Sequence, residues 1–173
     1  MTSSTSTRSS TRSSTDRSGA VAIGEAAPPF AGRTAEGTTL ALKDFAGRIL
    51  ALYFYPRDHT PGCTREACDF RDAHPELARI GVAVVGVSRD DEASHRRFVA
   101  RHALPFPLIA DTEGAICRAY GVLREKSLYG RRVLGIERST FLIDRGGIVR
   151  AVWRRVRVPG HVGQVLAAAA ALA

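Results

Sequence analysis

The run Ile49-Leu50-Ala51-Leu52-Tyr53-Phe54-Tyr55-Pro56-Arg57-Asp58-His59-Thr60-Pro61-Gly62-Cys63-Thr64-Arg65-Glu66-Ala67-Cys68 joins two elements of different period across a short polar loop. Its apolar part, 49–55, reads as a buried strand that stops at Pro56. Thr60 and Pro61 then carry a helix-start signal, with Thr60 at the N-cap and Pro61 near the first helical position. Cys63 therefore falls in the first turn of a helix, among unpaired backbone N–H groups at the positive end of the dipole. That environment favours thiolate over thiol. Pro56 fixes the chain as it leaves the strand, and Thr60 offers a hydroxyl donor shortly before the sulfur.

Cys68 is a second thiol on the same expected helix. Residues five apart in an intact helix have Cα atoms ~8.7 Å apart, beyond the roughly 7 Å at which a disulfide can close. A bond between Cys63 and Cys68 would require the helix between them to unwind, so the spacing suits a transient disulfide better than a permanent staple. Without redox chemistry, both would be small buried hydrophobes.

Outward from this unit, strands and helices alternate. On the N-terminal side, 28–30 and 38–43 form a hairpin of short strands separated by Gly32 and Gly37. On the other side, the helix after Cys63 is expected to end before Pro75, which opens a second short helix over 77–80. The continuous apolar run 82–87 is a strand, and Asp90 and Asp91 signal the start of a helix through His102. His95 and His102 flank Phe98 and Val99 and read as histidines at a helix boundary, because a metal needs more ligands at tighter spacing. A short strand at 106–109 leads to a turn and short helix, 111–120, with Cys117 as a core thiol. Residues 124–135 read as a polar loop, 139–143 and 148–153 as strands, and the Ala-rich end from His161 as a closing helix. The pattern is an α/β domain, a three-layer sandwich around a mixed central sheet.

A chain of 173 residues with this alternation is one domain. Residues 1–18 are a Ser/Thr/Arg tract too poor in apolar side chains to offset its ordering entropy; we expect a disordered, dispensable tail before a folded domain at 19–173. The tail lacks the apolar core of a secretory signal, although its Arg-rich, Ser-rich character is that of a transit peptide. Three cysteines, an odd number, argue against a secreted disulfide scaffold and for a reducing, cytoplasmic compartment. No apolar run approaches the ~18 residues of a membrane span. The net charge of +8 has its densest cluster at Arg154, Arg155 and Arg157, without any nucleic-acid motif, and reads as solvated surface.

Pro56-x-x-x-Thr60-x-x-Cys63 resembles the active-site pattern of the peroxiredoxins, and the string from Thr60 to Arg71 is similar to their bacterioferritin-comigratory, or Q-type, branch. Further matches follow in order: Gly86-Val87-Ser88, Leu104-Pro105-Phe106-Pro107-Leu108 with Asp111, Tyr120-Gly121-Val122, the stretch Gly135 to Asp144, and Gly160-His161. The resemblance spans 20–166. It implies a thioredoxin-like fold with an N-terminal hairpin extension, and a monomer. It also implies reduction of hydrogen peroxide or organic hydroperoxides without metal, haem or flavin. In that chemistry Cys63 attacks the peroxide and becomes a sulfenic acid. Cys68 condenses with it, and thioredoxin or a similar dithiol reduces the resulting disulfide. Thr60 would hydrogen-bond the peroxide, Pro56 would shield the sulfur from water, and Arg138 would be the fixed cation beside it, oriented by Glu66. His59 departs from the small polar residue expected in the loop.

Rival readings make separate expectations. A thiol-disulfide oxidoreductase of thioredoxin type uses Cys-x-x-Cys, whereas the spacing here is longer. A zinc module would have to gather Cys63, Cys68, His59 and His74. A polyanion-binding protein would show salt-dependent affinity independent of Cys63.

Overall fold

The computed structural model describes residues 20–173, and the expected tail lies outside them. In chain order the elements are β1 (Ala31–Thr34), β2 (Thr39–Ala41), a short 3-10 turn (Leu42–Phe45), β3 (Ile49–Phe54), α1 (Pro61–Arg79), β4 (Val82–Ser88), α2 (Glu92–His102), β5 (Leu108–Ala110), α3 (Ala115–Ala119), β6 (Leu123–Leu128), β7 (Arg131–Ile136), β8 (Ser139–Ile143), β9 (Val149–Trp153) and α4 (His161–Leu172). Among the described residues, seven strands form one sheet in the order β2-β1-β5-β4-β3-β8-β9, and β6 and β7 form a separate two-stranded sheet.

The all-apolar β3 lies inside this sheet because neighbours cover both its edges and side chains cover both its faces. It pairs parallel with β4, placing Tyr53 opposite Gly86, and antiparallel with β8, placing Tyr53 opposite Thr140. Leu50, Leu52 and Phe54 enter one core cluster, with Val85, Val87, Phe141 and Tyr120. Ile49, Ala51, Tyr53 and Tyr55 enter the other, with Cys63, Phe70, Leu77, Phe98 and Val165. Helices α1, α2 and α4 contribute to that second cluster, and α3 to the first, giving the three-layer, thioredoxin-like arrangement with a mixed sheet. Gly86 is required by this packing: a Cβ there would lie 2.7 Å from Leu108 Cδ2 and 2.9 Å from the Tyr53 ring.

Four expectations need correction. Helix α1 does not end before Pro75 but runs through it to Arg79. A proline inside a helix costs about 3 kcal/mol. Here Phe70 and Leu77, two turns apart, are both fully buried, so the apolar face of α1 continues past the proline. The expected polar loop at 124–135 is a ribbon in which β6 and β7 pair from Leu123 opposite Ile136 to Leu128 opposite Arg131. Tyr129 and Gly130, with φ of 51° and 76°, make the left-handed two-residue turn that hairpins favour. With nearly every side chain exposed, the ribbon lacks the period-2 apolar signal of a half-buried strand. His95, read as a boundary histidine, is fully buried. The N-terminal hairpin forms slightly later than expected, and β1 joins the main sheet antiparallel to β5. Among the described residues, no helix is long and apolar enough to cross a membrane.

Candidate active site

Thr60 takes an extended N-cap conformation, φ −88° and ψ 151°, with Pro61 opening α1, so Cys63 occupies the third helical position. The Thr60 side chain makes no capping bond; its hydroxyl donates to the carbonyl of Arg57 at 2.9 Å. Its lone pairs are therefore left to accept from an incoming O–H, the reverse of the donor role expected from sequence. Pro56 lies exposed in the bend that follows β3.

Cys63 is buried, with 2% of its surface exposed. Arg138, in the connection between β7 and β8, reaches it from the other side of the chain. Nη2 donates to Cys63 Sγ at 3.3 Å, and Nη1 donates to Glu66 Oε1 at 3.1 Å. Glu66, nearly one helical turn beyond Cys63, is fully buried. Burial pushes its carboxyl up to about 7, while Arg138 holds it lower than burial alone would. Burial also opposes the charge on Arg138, but Glu66 and Cys63 outweigh that and keep the guanidinium cationic. The sulfur thus sits at a helix start, against a fixed planar donor that a buried carboxylate orients. Gly62 keeps this approach open, because a Cβ there would fall 3.3 Å from Arg138 Nη2.

A buried polar network anchors the loop before the helix. Asp58 accepts from Tyr55 Oη at 2.6 Å and Ser94 Oγ at 2.8 Å, and its Oδ2 lies 2.7 Å from His95 Nδ1. His95 Nε2 donates to the carbonyl of Ile109 at 3.0 Å, and Asp58 N donates to Asp90 Oδ2 at 2.9 Å. Burial alone would raise the Asp58 carboxyl, but the bonds from His95, Tyr55 and Ser94 outweigh it and hold it below the usual range. His59, the next residue, is left-handed at φ 63°, a conformation rare outside glycine. The network pins the chain on one side of this strained residue, and the helix cap pins it on the other.

On the opposite edge of the site, His161 Nε2 lies 2.8 Å from Thr140 Oγ1. Burial, with Arg138 nearby, pulls this imidazole down to about 4. Cys68 is half-buried, with Sγ 3.9 Å from His102 Nδ1. All three cysteines are free thiols. Cys117 is fully buried, and burial together with Asp111 pushes its thiol far up, as suits an inert core residue. Among the described residues, the only three metal-capable side chains that converge are Asp58, Asp90 and His95. The set Cys63, Cys68, His59 and His74 required by a zinc module does not come together.

Of the residues expected from sequence, the structure brings Cys63, Arg138 and Glu66 into direct contact, with Thr60 at the cap of the same helix. It places Cys68 against α2. Sequence reasoning missed Gly62, Asp58, His95 and His161 as parts of the site. The available signal was the Tyr55-x-x-Asp58 spacing and a histidine three residues from the buried Phe98, on a stripe that already reads as apolar.

Residues 23–152 match the AhpC/TSA family. The chain is a peroxiredoxin of that family. Peroxiredoxin Bcp of Xanthomonas campestris is 50% identical over 132 residues, covering 76% of this chain and 82% of the relative. Peroxiredoxin Bcp of Bacillus subtilis is 44% identical over 146 residues, covering 84% of this chain and 93% of the relative. A bacterioferritin comigratory protein of Xanthomonas campestris, solved in trapped intermediate and ligand complexes bearing on its alkyl peroxide reduction, matches with a TM-score of 0.79 at 46% identity. That match covers 82% of this chain and 90% of the neighbour. This peroxiredoxin is of the Bcp, or Q-type, branch: a cysteine-based, thioredoxin-dependent peroxidase.

Proposed function

We propose that Cys63 is the peroxidatic thiol, Cys68 the resolving thiol, and Arg138, Thr60 and Pro56 the groups that shape the peroxide step. The observation that carries this reading is the Arg138 guanidinium, which meets Cys63 Sγ and Glu66 at once. The Cys63 thiolate attacks the terminal oxygen of a hydroperoxide; the S–O bond forms as the O–O bond breaks, and the leaving oxygen takes a proton to become water or alcohol. Arg138 donates to the sulfur and stabilises negative charge as it passes to the leaving oxygen. Thr60 accepts from the peroxide O–H, and Pro56 limits water at the sulfur.

Cys68 then attacks the sulfur of the Cys63 sulfenic acid, releasing water and forming a disulfide that thioredoxin or a similar dithiol reduces. Part of α1 must unwind for this step, because intact helical geometry keeps residues five apart ~8.7 Å apart. Hydrogen peroxide and organic hydroperoxides are the substrates, the second by likeness to the Xanthomonas campestris protein. The protein acts as a cytoplasmic monomer in antioxidant defence.

The test is the peroxide consumed by pre-reduced protein without external reductant. About one equivalent per chain is expected, lost in Cys63→Ser. Cys68→Ser should keep this first turnover and lose cycling with thioredoxin. Equal consumption by wild type and Cys63→Ser would overturn the Cys63 assignment.

A further inference from the structure

The resolving reaction needs the proton of the Cys68 thiol removed and carried to the departing hydroxide, and none of the residues assigned to the peroxide step touches Cys68. Cys68 Sγ instead meets a side chain from another helix, His102 Nδ1, at 3.9 Å. We propose that His102 is the general base and acid of the resolving step, a reading that rests on Cys68 being the resolving thiol.

The surroundings fix this imidazole over the sulfur. Arg71 Nη1, from α1, donates to the main-chain carbonyl of His102 at 2.9 Å, tying the end of α2 to the turn that follows Cys68. The imidazole meets Phe98 edge to face, with ring centroids 5.2 Å apart. Ala103, left-handed at φ 49°, ends the helix at once and returns its N–H to the carbonyl of Val99. The charged and titratable groups around the ring are Arg101 on its own helix, Arg71 and Cys68 on α1, and His59 in the loop before α1. Desolvation, then Arg101, Arg71 and His59, hold the imidazole below its ordinary value. Near neutral pH it is an unprotonated base, and with its proton on Nε2 it presents the Nδ1 lone pair to the thiol.

The step balances without an external reagent. His102 Nδ1 takes the proton of the Cys68 thiol, and the thiolate attacks the sulfur of Cys63–S–OH. The S–S bond forms, the S–O bond breaks, and the leaving hydroxide takes the proton back from His102 as water. Arg71, one turn beyond Cys68 on the same helix, adds a cation on that side. Arg71 ties the turn after Cys68 to α2, so unwinding of the turns before Cys68 keeps the thiol beside its base. In that arrangement Cys63 travels to Cys68.

The experiment mixes reduced full-length protein with one equivalent of hydrogen peroxide between about pH 5.5 and 8.5, quenches with a thiol-blocking reagent and follows the Cys63–Cys68 disulfide by mass spectrometry. Wild-type disulfide formation should lose rate only as His102 protonates, on the acid side of the ordinary imidazole value. His102→Phe, which keeps the ring against Phe98, and His102→Gln should form it ~100-fold more slowly at neutral pH. In both, the rate should become first order in hydroxide as the sulfenic acid accumulates. An unchanged pH profile in both variants overturns the role of His102 and leaves Cys68 in place. Failure of the wild type to form this disulfide overturns the Cys68 reading itself, and His102 with it.

Discussion

Arg138 Nη2 stands 3.3 Å from Cys63 Sγ across 75 residues of chain, and the other arm of the same guanidinium lies 3.1 Å from Glu66. A lysine ammonium is a point donor on a flexible stem and cannot hold both partners in this fork. Arg138→Lys should therefore lower the second-order rate of Cys63 oxidation by about 100-fold, read by stopped-flow mixing with hydrogen peroxide. A rate within about twofold of wild type would remove Arg138 from the peroxide step.

Gly62 bears on the same contact from the helix side. A Cβ at this position lies 3.3 Å from Arg138 Nη2, closer than ordinary van der Waals distance, and the guanidinium is the group free to give. Gly62→Ala should improve helix propensity by up to ~1 kcal/mol while slowing Cys63 oxidation about tenfold. Stability from urea unfolding, set beside the peroxide rate, checks the prediction; both changing for the worse would mean that helix packing, not the Arg138 approach, is what the glycine serves.

The unit of strand, loop and helix around Cys63 was legible because its signals are local: an apolar run, a proline stop, and a Thr-Pro helix start. Arg138 was not legible from pattern, since a strand-end arginine looks like any other until β8 pairs with β3; only family resemblance selected it. Pro75 misled because its local penalty was visible, whereas the packing that overrides it belongs to residues distant in sequence. The β6–β7 ribbon escaped because its pairing is satisfied by backbone bonds that leave no hydrophobic periodicity. His95 escaped for the opposite reason: its partners, Tyr55, Asp58 and Ile109, come from other segments and make burial of a polar ring tolerable.

Glu66 and His161 should oppose each other in acid. Glu66 rises from 4.5 to about 7 in the fold, so the native state binds its proton more tightly and stability falls as pH rises through that window. His161 drops from 6.5 to about 4, so its contribution is complete above the unfolded value and is lost as pH falls toward the folded one. The two slopes have opposite signs over overlapping windows, and their contributions to wild-type stability should largely cancel there. Relative to wild type, Glu66→Gln should gain stability on going from about pH 4.5 to 7, on the order of 2 kcal/mol. His161→Phe should lose a similar amount over the same span. Urea midpoints of the reduced proteins at several pH values test this, and parallel profiles for all three would refute it.

Asp58 links stability to the geometry of the peroxide site. Its carboxylate accepts from Tyr55 and Ser94 and lies 2.7 Å from His95, and the Asp58 and His95 side chains are both buried. In Asp58→Asn, an amide N–H must replace one of these acceptor oxygens, leaving buried hydrogen-bond donors of Tyr55, Ser94 or His95 unpaired, so destabilisation of about 3 kcal/mol is expected. Because the folded-state value of Asp58 is depressed, its contribution is present above the unfolded value and is lost as pH falls through the folded one. The gap between wild type and variant should therefore close in strong acid. Asp58 also anchors the chain between Arg57, whose carbonyl receives the Thr60 hydroxyl, and the left-handed His59. The variant should accordingly oxidise Cys63 more slowly even under conditions where it is fully folded. A folded Asp58→Asn protein with an unaltered peroxide rate would confine the network to stability alone.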